Sequence, residues 1–125
     1  MVKFLKLWAP VIVWAGFIFF LSGVPNLKTD LEYDFLLRKI GHIAEYFILT
    51  AFLYRAFKGS FNISVFSLFM YPAVLAFFYA VSDEIHQYFV LGRFCSVRDV
   101  LIDSLGIMAF CILVRIKKGC LCLIK

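Results

Sequence analysis

The sequence predicts an all-α membrane protein, a four-helix transmembrane bundle with both termini cytoplasmic, and three observations carry that prediction. Hydrophobic residues make up 64% of the 125, Phe alone contributes 16, and only 17% are charged, too apolar a balance for a soluble domain of this size. The apolar residues gather into four segments, about 7–24, 40–57, 65–82 and 100–116, each close to the ~20 residues that cross a hydrocarbon core. Lys and Arg are shared unevenly between the two sides of that zigzag. Lys3, Lys6, Arg55, Lys58, Arg115, Lys117, Lys118 and Lys125 fall on one side, and Lys28, Arg38, Lys39, Arg93 and Arg98 on the other, which places the termini in the cytoplasm of a multi-pass cell-membrane protein.

Four crossings leave room only for short loops and tails. Residues 1–118 therefore read as a single transmembrane domain and 119–125 as a short cytoplasmic tail, with no linker, low-complexity tract or solenoid repeat. The net charge of +5 reads as the topological signal together with attraction to anionic lipid. No basic stripe is interleaved with exposed aromatics, so nucleic acid is not an expected partner.

The first segment follows Lys3 and Lys6 and ends in small residues at Ser22 and Gly23, as a secretory signal does, but no A-x-A-like site comes after it and a retained helix is expected. Trp8 belongs to the inner interfacial belt and Tyr88 to the outer one. The second segment is prefaced by Thr29-Asp-Leu-Glu32, a capping-box pattern. Its apolar part, Tyr46 to Phe57, is too short to span, so the helix must enter the bilayer near Ile40 and carry His42 and Glu45 with it. Arg38, His42 and Glu45 share one helical face, while Lys39 points toward headgroups.

The third segment runs outward from Val65 to Ser82-Asp-Glu-Ile-His-Gln87. Asp83, His86 and Gln87 fall on one face, Glu84 looks away, and Gly92 suits a tight return before Arg93. The fourth begins with Ser96-Val-Arg-Asp99, in which Ser96 is the expected N-cap and Asp99 the third helical residue. Asp103 sits one turn deeper on the face of Asp99, and Gly106 continues it, allowing a neighbouring helix to approach closely. The four cysteines form no disulfide framework: Cys95 is outside, Cys111 within the helix, and Cys120 and Cys122 in the tail beyond it. The prenylation-like ending Cys122-Leu-Ile-Lys125 is atypical in its final Lys.

Three helices thus carry acids or bases at the extracytoplasmic end, and none carries an acid or a histidine at the cytoplasmic end. The pattern describes a polar pocket facing the outer leaflet. Blander readings exist for its members: Asp99 as a cap, Arg38 as a snorkelling side chain, and His42, Glu45 and Asp103 as an interhelical hydrogen-bond network. His42-x-x-Glu45 and the Asp83–His86 pair resemble the ligand supply of bundle metal sites, but a second Glu-x-x-His is missing and the same groups pair equally well with Arg38, Arg93 and Arg98. No metal and no cofactor is expected. The chain offers no thiol ligand pair, Gly-rich phosphate loop or Ser nucleophile motif.

Arg38-Lys-Ile-Gly-His-Ile-Ala-Glu-Tyr46, together with the stretch from Ser82 to Gly106, resembles the VanZ-like family of small membrane proteins. The motif positions of that family correspond to Arg38, Lys39, His42, Tyr46, Asp83, Glu84, Gln87, Gly92, Arg93, Asp99, Asp103 and Gly106. Leu91 stands where Pro often precedes the Gly-Arg pair. The resemblance implies an association with resistance to teicoplanin, a lipoglycopeptide that acts on cell-wall precursors outside the membrane.

Two functions follow, and a third competes. In the first, Arg38, Gln87, Arg93, Arg98 and Asp99 bind envelope lipids or lipid-linked wall precursors, the arginines gripping phosphate or carboxylate groups and the acids holding the arginines. In the second the protein is an enzyme acting on such a headgroup, its catalytic candidates being His42, Glu45, Asp83, His86 and Asp103. There His86 or His42 is the general base, Asp83 or Glu45 orients it, and the arginines stabilise developing charge. In the third, Glu45, His42 and Asp103 relay protons for coupled transport.

Overall fold

The computed structural model describes residues 2–24, 34–91 and 95–122, and within them the chain forms four helices and no strand. They are α1 (Val2–Ser22), α2 (Asp34–Ser60), α3 (Val65–Tyr88) and α4 (Val97–Cys122). The predicted elements are all present, and each of the last three runs past its predicted apolar core. Hydropathy marks the part of a helix that needs an apolar surrounding, whereas backbone hydrogen bonding continues through polar turns wherever their side chains find partners. The Thr29–Glu32 capping pattern lies outside the described residues. Cys120 and Cys122, expected in a tail, belong to the last turn of α4.

Contacts fix an up-down-up-down order. The start of α1 meets the end of α2, where the Trp8 indole donates to Ser60 Oγ at 3.0 Å. Halfway along, the Trp14 indole donates to the Glu45 carbonyl at 3.0 Å. The Tyr79 hydroxyl of α3 donates to the Ala15 carbonyl at 2.6 Å, tying α1 to α3. Helices α2 and α4 run side by side in the same direction, with Phe47 edge-on to Phe110 at 5.6 Å. Helix α2 touches all three others, and α1 makes no contact with α4 among the described residues.

The core lies along α2. Tyr46, Leu49, Leu53 and Ala56 recur at helical spacing and are buried against Val11 and Ile18 of α1, Ala76 and Ala80 of α3, and Ile107 of α4. On α3 the buried face is a stripe of small or compact residues four apart, Pro72, Ala76 and Ala80, which lets α2 come close. Large apolar side chains also cover the outside: Ile12, Phe20, Phe66, Phe78 and Leu101 are all more than 60% exposed. Such a surface is costly in water and natural in lipid. Helices α1 and α3 are long and apolar enough to cross a membrane. By comparison α2 and α4 are interrupted by charges, and most of those charges collect at one end of the bundle.

Candidate polar site at one end of the bundle

That end holds the C-termini of α1 and α3 and the first turns of α2 and α4. Its geometry begins with Gly106. A Cβ at this position would lie 2.2 Å from the Ile43 carbonyl oxygen and 3.0 Å from the Phe47 nitrogen, so α4 rests directly on the backbone of α2. This close crossing brings the residue one turn earlier, Asp103, against His42: Nδ1 of His42 lies 3.1 Å from Oδ1 of Asp103. One turn further toward the bundle end, Lys39 and Asp99 form a direct ion pair. Two polar pairs, one of them an ion pair, therefore link α2 to α4, stacked one above the other.

Helix α3 closes the site from another side. Asp83 and Gln87, one turn apart, are joined by a Gln87 Nε2 to Asp83 Oδ2 hydrogen bond of 2.9 Å. Glu84 reaches across to α4, where its Oε2 accepts the Ser96 backbone N–H at 2.9 Å. The predicted capping box at Ser96 is thus rearranged. Ser96 does stand just before α4 and its carbonyl accepts the Asp99 N–H at 2.9 Å, but its own N–H is taken by Glu84, and Asp99 is turned to Lys39 instead.

The most telling feature is unused hydrogen-bonding capacity. Asp103 is 0% exposed, Glu84 1%, Asp83 3% and Tyr46 0%. Yet Oδ2 of Asp103, Oε1 of Glu84, Oδ1 of Asp83 and the Tyr46 hydroxyl have no hydrogen-bond partner among the described residues. Tyr46 interacts electrostatically with both Asp83 and Asp103, and Glu84 with Asp103, Asp83 and His42, so the four groups share one neighbourhood. Buried polar atoms are ordinarily satisfied, and a concentration of unsatisfied ones marks a place where something other than packing was selected. No three His, Cys, Asp or Glu residues are arranged to hold a metal ion among the described residues.

The sequence-derived candidates divide accordingly. His42, Asp83, Gln87, Asp99 and Asp103 come together at this end. Arg38 and Glu45 are half-buried on α2, with the Glu45 carbonyl engaged by Trp14 of α1. Arg98 is exposed in the first turn of α4, and Gly92 and Arg93 lie outside the described residues. His86 lies within a turn of Asp83 and Gln87 on α3 and meets α1, where its ring stacks on Phe19 with centroids 4.0 Å apart. Expectations for two side chains are corrected. Glu84, expected to look away, is buried and clamps the start of α4. Lys39, expected among headgroups, is paired with Asp99. Of the proposed orienting acids, neither Asp83 nor Glu45 bonds His42; Asp103 does.

Tyr46 and Glu84 are the participants given no role in the predicted pocket. A signal for Glu84 was present: it continues Pro72, Ala76 and Ala80 at the same four-residue spacing, the stripe that faces inward. Tyr46 heads the apolar stripe of α2, and nothing local distinguishes its hydroxyl from that of a belt tyrosine.

Neither the comparison with curated proteins nor that with solved structures gives a match. The family model described as VanZ/LLP1 matches residues 7–118, which take in most of each of the four helices and every member of the cluster. The chain belongs to the VanZ/LLP1 family.

Proposed function

We propose that the bundle crosses the cell membrane four times with both termini in the cytoplasm, and that its polar end binds or organises envelope lipids or lipid-linked wall precursors at the extracytoplasmic leaflet, lowering glycopeptide susceptibility in the manner associated with the family. The observation that carries this reading is the set of buried, unpartnered oxygens on Asp83, Glu84, Asp103 and Tyr46. Interhelical glue would use these groups up. A cluster that leaves acceptors spare is suited to receiving hydroxyl or ammonium donors of a polar headgroup, with Arg38 and Arg98 supplying cations near the same end for its phosphate.

A second reading, a membrane enzyme working on such a headgroup, is favoured by one arrangement. His42, with 19% of its side chain exposed, is held by the fully buried Asp103, the relation in which a carboxylate orients a general base. Proton-coupled transport draws less support, because no charged residue among the described ones is buried toward the opposite end.

Topology is tested with the protein's own reporter. Cys95 is exposed beside the polar end, so a membrane-impermeant maleimide on intact cells should label the wild type and not Cys95→Ser. Undiminished labelling of that variant would overturn the orientation. Function is tested by lipid mass spectrometry of material copurifying with wild type and with Asp103→Asn: a phosphate-bearing headgroup lipid retained by the first and lost from the second supports binding, and its conversion over time supports the enzyme. Identical lipid content in both would sink the headgroup site.

A further inference from the structure

Away from the polar end, the seam between α3 and α4 opens to the outside. At its far end lies a cavity of about 670 Å³, walled by Phe66, Phe69 and Met70 of α3 and by Cys111, Ile112 and Arg115 of α4. A second cavity of about 420 Å³, between Val74 and Phe77 of α3 and Met108 of α4, continues the same seam one turn further along. The two follow one another along antiparallel helices and mark out a largely apolar trough along the seam, with Arg115 at its mouth. From Phe66 to Phe78 the trough runs about 18 Å at the rise of an α-helix. That is close to half of a hydrocarbon core ~30 Å thick, the reach of one leaflet's acyl chain.

We propose that this trough is a binding site for an anionic phospholipid, whose phosphate sits on Arg115 and one of whose acyl chains lies between α3 and α4. Charge complementarity selects the occupant. At this end the described charged groups on the surface are Lys3, Lys6, Arg55, Lys58, Arg115 and Lys117, all exposed, with no Asp or Glu among them. A second copy of the chain lying parallel in the same membrane would bring only further cations to the level of Arg115. An anionic headgroup meets an uncompensated positive rim, and Phe66, 73% exposed, and Ile112, 53% exposed, are covered by its chain. The site is separate from the headgroup cluster at the other end and rests on the proposed reading only in requiring that the helices sit in a bilayer.

Cys111 lines the trough and makes the test direct. Purified protein in a neutral sugar detergent is treated with N-ethylmaleimide, and modification of each cysteine is followed by peptide mass spectrometry. Phosphatidylglycerol should slow modification of Cys111 about five-fold more than phosphatidylcholine of identical chains, the preference one basic residue confers near an anionic surface. Cys95, exposed at the opposite end, should react at the same rate throughout. Arg115→Gln should abolish the difference between the lipids, and Arg115→Lys should keep it. Equal protection by both lipids in the wild type would overturn the proposal, as would a preference that survives Arg115→Gln. Protection that follows protein concentration instead of lipid would assign the trough to a second copy and overturn it equally.

Discussion

The two ends of this bundle are built from opposite materials. At the end where α1 begins and α2 finishes, Trp8 packs edge-on to Phe57 at 5.4 Å and Phe61 at 6.5 Å, and a Cβ on Gly59 would lie 2.7 Å from the Leu7 side chain. Burial of rings and close backbone approach there need no exact partner. At the other end, single hydrogen bonds from His42 to Asp103 and from Ser96 to Glu84 join α2, α3 and the start of α4, Gln87 bonds Asp83 within α3, and several oxygens stay unmet among the described residues. Charges taken out of water and only half satisfied contribute little to stability and often reduce it. The difference teaches where to look for each property: stability along α2 and the aromatic end, function at the end that packing alone would not have produced.

The largest expected effect comes from the one place where the two materials depend on each other. Gly106 sets the α2–α4 distance, and the Ile43 carbonyl that a new Cβ would strike is backbone that cannot rotate aside. Gly106→Ala should therefore destabilise the protein by about 1–3 kcal/mol through overpacking, although Ala is the better helix former by about 1 kcal/mol. Unfolding in mixed micelles would measure it. The same change should part His42 from Asp103 and so remove whatever the polar end does. A stable, fully active Gly106→Ala protein would show that the close crossing does not organise the cluster.

Next comes Glu84, the clamp between α3 and the start of α4. Glu84→Ala removes the acceptor of the Ser96 N–H and should cost about 1–2 kcal/mol, the upper range for polar contacts in membranes. Glu84→Gln keeps an acceptor and should cost less. Hydrogen exchange at Ser96 and in the first turn of α4 would separate the two variants: faster in the Ala variant, near wild type in the Gln variant. Equal exchange in both would mean that the bond seen across the helices does not hold the loop.

How much of this was legible beforehand follows from what each residue's signal depends on. Four helices were visible because their apolar stretches are long and separated by charge. Asp99, Asp103 and Gly106 were correctly assigned to one face, because helical period alone decides it, and Gly106 does lie at a close crossing. Glu84 was misread for a reason that same period explains. Measured from Asp83 it points a quarter-turn and more away, which means solvent only if one neighbour packs there. Here α3 is flanked at that level by α2, α4 and α1 together, so Asp83 and Glu84 are both buried while His86 finds Phe19. Pairing between distant positions, Lys39 with Asp99 and Tyr46 beside two carboxylates, has no local signature. It comes from helix register, which no single segment encodes.

Smaller stability effects and larger functional ones are expected inside the cluster. Asp103→Asn and Asp83→Asn preserve shape and remove a buried charge. Each should change stability by no more than about 1 kcal/mol in either direction, since lost pairing is offset by lost desolvation. Headgroup binding, or a teicoplanin phenotype where one exists, should nevertheless be abolished. His42→Gln should behave likewise, whereas His86→Gln, at a residue whose ring is stacked on Phe19 of α1, should retain function. If all four variants lose activity only in proportion to lost folded protein, the polar end is scaffold and the contrast between the ends dissolves.

The smallest effect is reserved for the aromatic end. Trp8→Phe keeps a ring against Phe4, 5.6 Å away, and against Phe57, so most of the apolar burial survives. It loses the indole donor to Ser60 Oγ, a bond with no charged partner in a half-buried place. One neutral hydrogen bond of this kind is worth roughly 0.5–1.5 kcal/mol, and Ser60 at the end of α2 can turn to water or headgroups, so a cost near the lower figure is expected. Headgroup binding at the far end should not change, because Trp8 touches no member of the cluster. A melting shift of that size with unchanged binding would place stability and function at separate ends. A loss of binding in Trp8→Phe would show instead that α1 transmits strain along its length to Phe19 and His86, and the two ends would have to be treated as one coupled device.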